Sequence, residues 1–359
     1  MRINAIFRTL ARWIASPRVI FAVALVMRIV VLMHLVPGQS DRFFYRHNEA
    51  ARIAWAMVSG YGFSSPWPNT PLASTAVLPP VYPYLIAGIF KLAGPYSYLS
   101  LWIAVVLNSI FSALTAVLIL LIGEKVFSRR VGILAAWVWA CWLYELAVSV
   151  RLWESSLSTL LLMLSLWLLA KLADSRHFWL WSLFGGLAGV AALTNTTLLG
   201  LFPFFWFWLW ITQRRRGQNC TRRVLASMAT ALLVMLPWTI RNYVVFHEVI
   251  PVRDNFGLEL WVGNHEGVTH LYDFSGAFPL ADPTEFNRLG ELRFMQERGA
   301  EAILFIRQHP GTFLRLCGER FYSFWTAPDA EIWLPLSLAA WWGAVLALRQ
   351  KRTLSVAFM

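Results

Sequence analysis

Eight apolar runs constrain what this chain can fold into more than any other feature. They lie near residues 19–36, 99–121, 131–148, 154–172, 178–194, 197–212, 223–239 and 332–348. Each approaches the roughly 20 residues that an α-helix needs to cross a bilayer. Inside lipid the backbone must satisfy its own hydrogen bonds, which leaves helices or closed barrels. Runs of this length predict helices, so the expected fold is an all-α polytopic membrane protein with about eight transmembrane helices. Only 14% of the residues are charged, against about 25% in soluble domains. The 20 tryptophans suit the membrane–water interface.

The fifth and sixth runs are nearly continuous, as "FWLWSLFGGLAGVAALTNTTLLGLFPFFWFWLWI", and the polar "TNTT" at 194–197 divides them. Charge supports two spans here. With the N-terminus in the cytoplasm, the inside segments hold Arg2, Arg8, Arg12, Arg18, Lys125, Arg129, Arg130, Lys171, Arg176, Arg214, Arg215, Arg216, Arg222, Arg223, Arg349, Lys351 and Arg352, more than half of the 31 basic residues. Short loops rich in Lys and Arg stay inside. Merging the two runs would place the five-arginine loop outside. The formal charge of +12 is therefore topological, and nucleic acid is not an expected partner. The C-terminus also falls in the cytoplasm.

This topology divides the chain into a membrane module, 1–239, with a large first outer loop at 37–98. An outer loop domain follows at 240–331, then the last span and a short cytoplasmic tail at 332–359. The second outer segment carries most of the 19 acidic residues. Cys141, Cys220 and Cys317 are scattered, one in a span and two on opposite sides, which predicts no disulfide framework. No CxxC or HxxxH spacing marks a zinc site.

The most informative stretch of the first outer loop is "RHNEAARIAWAMVSGYGFSSPW", 46–67. Asn48 can cap a helix that starts near Glu49, where a carboxylate meets the positive end of the dipole. Ile53, Met57 and Val58 share a face, and Ser59–Gly60 ends the helix. This reads as a short helix along the outer membrane surface. Glu49 is either a solvated cap carboxylate or a catalytic one. Arg42, Arg46, His47 and Arg52 could bind an anionic group or contact lipid phosphates. Further on, "TAVLPPVYPYLIAGIFKLAG", 75–94, turns rigidly back toward the membrane.

An acidic amphipathic helix, "GYGFSSP" and "PPVYPYLIAGIFKLAG" together resemble the polyprenyl-phosphate-dependent glycosyltransferases of the GT-C class, in the bacterial branch related to protein O-mannosyltransferases and aminoarabinose transferases. "LPWTIRNYVVFHEVIPVRDNFGLELWVGNHEG", 236–267, is similar to that branch's segment leaving the seventh span, and "AILFIRQHPGTFLRLCGERFYSFW", 302–325, to its later outer helices. The resemblance implies a GT-C-like fold, a polyprenyl-phosphate sugar donor, and transfer to a glycan, lipid or protein acceptor at the outer face of a bacterial inner membrane. It also implies that Glu49 is the base that deprotonates the acceptor, with inversion at the anomeric carbon. Glu154, in "LYELAVSVRLWESS", is a second catalytic candidate, preferred over Glu145; an ion pair with Arg151 is the structural alternative. Arg241, Arg253 and Arg52 are candidates for the donor phosphate, and Asn264, His265, Glu266 and Tyr82 for sugar or acceptor. Arg28, inside the first span, is expected to snorkel or pair within the bundle. The family commonly has Asp-Glu where this chain has Asn48–Glu49. A divalent cation therefore stays open, and no other cofactor is implied.

Two other readings fit the same composition. A transporter would show repeated halves and charges near mid-membrane; no convincing repeat is visible. A non-catalytic scaffold of envelope assembly could keep the fold without the activity. Residues 284–308 alternate apolar and charged positions at helical spacing, which predicts one amphipathic helix.

Overall fold

The structure is a computed structural model that describes residues 13–35, 48–64, 66–268, 283–326 and 330–349. Arg42, Arg46 and His47 lie outside the described residues. Those residues are almost entirely helical and build a polytopic membrane protein. Helices occupy each of the eight apolar runs. Among the described residues four are long and apolar enough to cross a membrane: α1 (Pro17–Leu35), α4 (Tyr98–Val126), α7 (Ser155–Leu172) and α11 (Thr221–Phe246). A fifth span forms if α5 (Arg129–Cys141) and α6 (Leu143–Ser149), bent by 58°, are taken together.

The remaining runs are met differently. "TNTT" does divide the central pair, into α8 (Phe178–Ala192), the single turn α9 (Thr196–Leu199) and α10 (Phe202–Arg215). Asn195 accepts from the Thr197 amide and caps α9. At 15 and 14 residues, α8 and α10 each fall short of a 30 Å core at 1.5 Å per residue. The last run is α16 (Ala330–Arg349), which carries Pro335 inside it.

The chain forms two compact units, Met1–Phe63 with Pro79–Arg241, and Ser64–Leu78 with Asn242–Met359. Residues 64–78 come from the first large loop of the sequence reading and cluster with the second unit.

In the first unit α4 is the central helix and packs against α1, α5 and α7. Close approach to α5 needs Gly123 and Gly132, because a Cβ on either would meet the opposing backbone. Arg28 of α1 is fully buried and does not snorkel. It donates to the carbonyls of Ala24 (2.9 Å), Ala140 (3.2 Å) and Trp139 (3.4 Å). The last two belong to the final turn of α5, whose carbonyls lose their helical partners at the bend. A cation at that negative helix end is doubly favoured. Two further helices, α2 (Glu49–Val58) and α3 (Val81–Ala93), pack against each other.

In the second unit α12 (Phe256–Gly263) packs on α14 (Glu291–Gln308), joined by α13 (Thr284–Leu289) and α15 (Pro310–Thr326). Trp67 and Val77 of the 64–78 segment complete its apolar core with Leu258, Phe286, Phe294 and Met295. The single amphipathic helix expected over 284–308 is two helices. Gly290, at φ 77°, breaks it, a conformation that costs glycine little.

Candidate functional site

The first unit brings the positions of three of the sequence candidates to one turn. As expected, α2 starts at Glu49 and is capped by Asn48, whose Oδ1 accepts from the Ala51 amide at 3.0 Å. The buried face of α2 is Ala50, Ala51, Ile53, Ala54 and Ala56, while Val58 is exposed. Small residues let α2 sit close against α3, so its apolar stripe packs on protein.

Asn48 has a second task. Its Nδ2 donates to the Leu152 carbonyl at 2.8 Å, in the turn between α6 and α7. The neighbouring carbonyls of that turn, Arg151 and Trp153, accept from Asn108 Nδ2 at 2.8 and 3.2 Å. The same amide donates to the Tyr82 hydroxyl at 2.9 Å. Glu154 follows the turn directly and occupies the N-cap position of α7 without a side-chain capping bond. Glu49, Tyr82 and Glu154 are thus brought together through two asparagines. Arg151 is exposed and forms no ion pair with Glu154 among the described residues. Arg52, half-buried on α2, has its pKa pulled below the ordinary guanidinium value by burial, partly offset by Tyr96.

Arg241 stands near the end of α11, one turn after Pro237. Its guanidinium donates to the Phe63 carbonyl at 2.9 Å and lies over the rings of Trp238 (4.9 Å) and Phe63 (5.5 Å). Phe63 and Trp238 meet edge to face at 4.7 Å. Beside them is a cavity of about 490 Å³ walled by Pro80, Leu193, Val234, Pro237 and Trp238, with Arg241 on its wall. The amide of Val81 donates to the Leu193 carbonyl at 3.1 Å and closes one side. An apolar hollow with one oriented cation suits an amphiphile that carries an anionic head.

Arg253, Asn264, His265 and Glu266 all belong to the second unit. Arg253 pairs with Glu259 at 3.0 Å. Asn264 is buried; it donates to the Leu260 carbonyl at 2.8 Å and accepts from Arg320, which also bonds the Gly263 carbonyl. Its amide serves to close α12. His265 stacks on Trp261 at 4.1 Å, with Nδ1 at 2.8 Å from the Trp261 carbonyl. A carbonyl only accepts, so that nitrogen carries the proton and Nε2 is left as the acceptor. Glu266 is exposed.

Two groups escaped the sequence reading. Asn108 is the one amide among several small polar residues inside an apolar run. The other is a buried acid pair in the second unit. Glu291 Oε1 accepts from the Ala76 amide at 2.6 Å, while the Asp254 amide donates to the Ala76 carbonyl at 3.2 Å. The Asp254 oxygens are buried and, among the described residues, face the Glu291 carboxyl and their own backbone amide. Burial pushes Asp254 up to about 6. Burial, then the Asp254 charge, pushes Glu291 well above the usual carboxylate range. Glu291 therefore keeps its proton longer and donates it to Asp254. Among the described residues no group of three metal-ligating side chains occurs.

The sequence model of the dolichyl-phosphate-mannose-protein mannosyltransferase family matches residues 77–240. That match, over a little less than half of the chain, supports a relationship to the GT-C glycosyltransferases. The matched stretch contains Tyr82, Asn108, the 151–153 turn and Glu154, and stops one residue before Arg241. No curated protein and no solved structure matches the chain.

Proposed function

We propose that this membrane protein is a glycosyltransferase that moves a sugar from a polyprenyl-phosphate donor to an acceptor hydroxyl or amine at the outer face of a bacterial inner membrane. The observation that carries the reading is Arg241, an oriented guanidinium on the wall of an apolar cavity, next to a stretch that matches a lipid-linked mannosyltransferase family. A phosphate at Arg241 would keep its lipid chain against apolar side chains. The guanidinium would stabilise the negative charge that builds on the phosphate as it leaves.

The reaction is a single displacement. Glu49 takes the acceptor proton, the acceptor heteroatom bonds to the anomeric carbon, and the sugar–phosphate bond breaks with its electrons on the polyprenyl phosphate. One displacement inverts the anomeric carbon, and no covalent sugar–enzyme intermediate is required. Glu154 is assigned to orient the sugar, with Tyr82 as a hydrogen-bonding contact. Arg52 and Arg253 are assigned to donor phosphate, and Asn264, His265 and Glu266 to sugar or acceptor. Of these, the Nε2 acceptor of His265 and the carboxylate of Glu266 have the chemistry to accept from sugar hydroxyls.

Mass spectrometry of lipids co-purified in mild detergent tests the donor class. Wild type should be enriched in polyprenyl phosphate or its sugar conjugate, and Arg241→Ala depleted of both. Absence of both from wild type, even after polyprenyl phosphate is added back, would overturn the reading.

A further inference from the structure

We propose that Asn108 is the positioning residue of this site, holding the Tyr82 hydroxyl and the turn that carries Glu154 in one geometry. The proposal rests on the transferase reading above. Asn108 is 1% exposed, on a helix that also buries the small hydroxyls of Ser109, Ser112 and Thr115 but no other amide. An amide there is costly unless it is bonded. Its three partners lie on α3 and on the turn before α7, elements distant in sequence.

Two of those partners are carbonyls, which only accept. The amide nitrogen must therefore face them, and the side chain has one allowed orientation. The Tyr82 oxygen then accepts from Asn108, so its own proton is directed elsewhere and Tyr82 acts as an oriented donor. Asn48 takes the carbonyl that Asn108 leaves. Three successive carbonyls, Arg151, Leu152 and Trp153, are all held by two side-chain amides. Glu49 follows Asn48 and Glu154 follows Trp153, so each carboxylate sits one residue from a clamped group. The two amides that form the clamp do not titrate and fix geometry without adding charge.

Removing Asn108 takes the side-chain donor from the carbonyls of 151 and 153, leaving the Arg151 carbonyl only the Trp153 amide at 2.9 Å, and the turn relaxes. A displacement near 1 Å costs catalysis about 100-fold. The test is single turnover by purified full-length protein preloaded with labelled polyprenyl-phosphate mannose. Acceptors are a serine- and threonine-containing peptide, lipid A and a mannose oligosaccharide. The reacting fraction reports how many molecules are folded and loaded; the rate constant reports geometry within them. Asn108→Leu should keep the wild-type fraction with a rate constant about 10- to 100-fold lower. Asn108→Ser, smaller and polar, reads the same quantity if the leucine variant does not accumulate. Adding Tyr82→Phe to Asn108→Leu should cost no more than Asn108→Leu alone, because the two act through one contact. A reduced fraction with a rate constant within about twofold of wild type would overturn the proposal and leave Asn108 a folding residue. Absence of transfer by wild type itself would instead overturn the transferase reading, and this proposal with it.

Discussion

The two units lock their polar loops in opposite ways. In the first, the carbonyls of 151–153 are satisfied by the neutral amides of Asn48 and Asn108. In the second, one residue, Ala76, is gripped on both sides by residues that are acids: the Glu291 carboxyl takes its amide and the Asp254 amide takes its carbonyl. A neutral lock has no proton to lose. The acid pair holds only while it keeps one, since two buried anions repel strongly in a low dielectric. The lock beside the candidate carboxylates is therefore insensitive to pH, and the sensitive one lies in the other unit.

The largest effect that sharpens this contrast is at Arg241. Arg241→Ala should lower transfer about 100-fold or more, as loss of one preorganised donor to developing charge does elsewhere, and its melting curve should stay near wild type. Loss of folding together with activity would mean that the bond to Phe63 matters more than the phosphate.

Next comes pH. The pKa values of Asp254 and Glu291 are raised in the folded protein. The folded state then binds more protons than the unfolded one once pH exceeds the ordinary carboxylate range, so stability falls as pH rises. The loss develops from about pH 4 and, for Asp254, is complete above its value of about 6. Arg253 partly offsets the charge and Glu248 adds to it. Hydrogen exchange at 64–78, corrected for intrinsic rates, should show protection declining between pH 5 and pH 8, on the order of 1–3 kcal/mol. Glu291→Gln keeps an acceptor for Ala76 and a donor for Asp254 that does not titrate, and should flatten the decline. Exchange at 151–154 should not change with pH. A pH-dependent change confined to 151–154 would reverse the contrast.

Smaller still is Asn48→Ala, which removes a helix cap worth about 1 kcal/mol and one bond to the turn. Its stability cost should be the same at pH 5 and pH 8. The smallest effect is expected at His265→Phe, which keeps the stack on Trp261. A lost contact to sugar or acceptor should raise KM about 3- to 10-fold with kcat unchanged.

Features written in neighbouring residues were legible from sequence. Asn48 caps the helix of Glu49, "TNTT" splits the central apolar stretch, and the runs themselves define the helices. The bend at Trp142 was not visible, because "ACWLYEL" has no Pro or Gly and Arg28, which binds the freed carbonyls, lies more than 100 residues away. The break at Gly290 was hidden by an otherwise unbroken helical pattern. Asn108 and the Asp254–Glu291 pair were illegible for one reason: each acts through partners far apart in sequence, and a single Asn, Asp or Glu looks the same with or without them. Arg253 and Asn264 stood out by residue type, but both side chains are engaged within their own unit.

The most direct test is the rate of sugar transfer from labelled polyprenyl-phosphate mannose by wild type and Glu49→Gln, at matched expression and matched donor binding. If Glu49 is the base, Glu49→Gln should bind donor as wild type does and transfer about 10²- to 10⁴-fold more slowly. Transfer at the wild-type rate would remove Glu49 from the chemistry and leave it a helix-cap carboxylate.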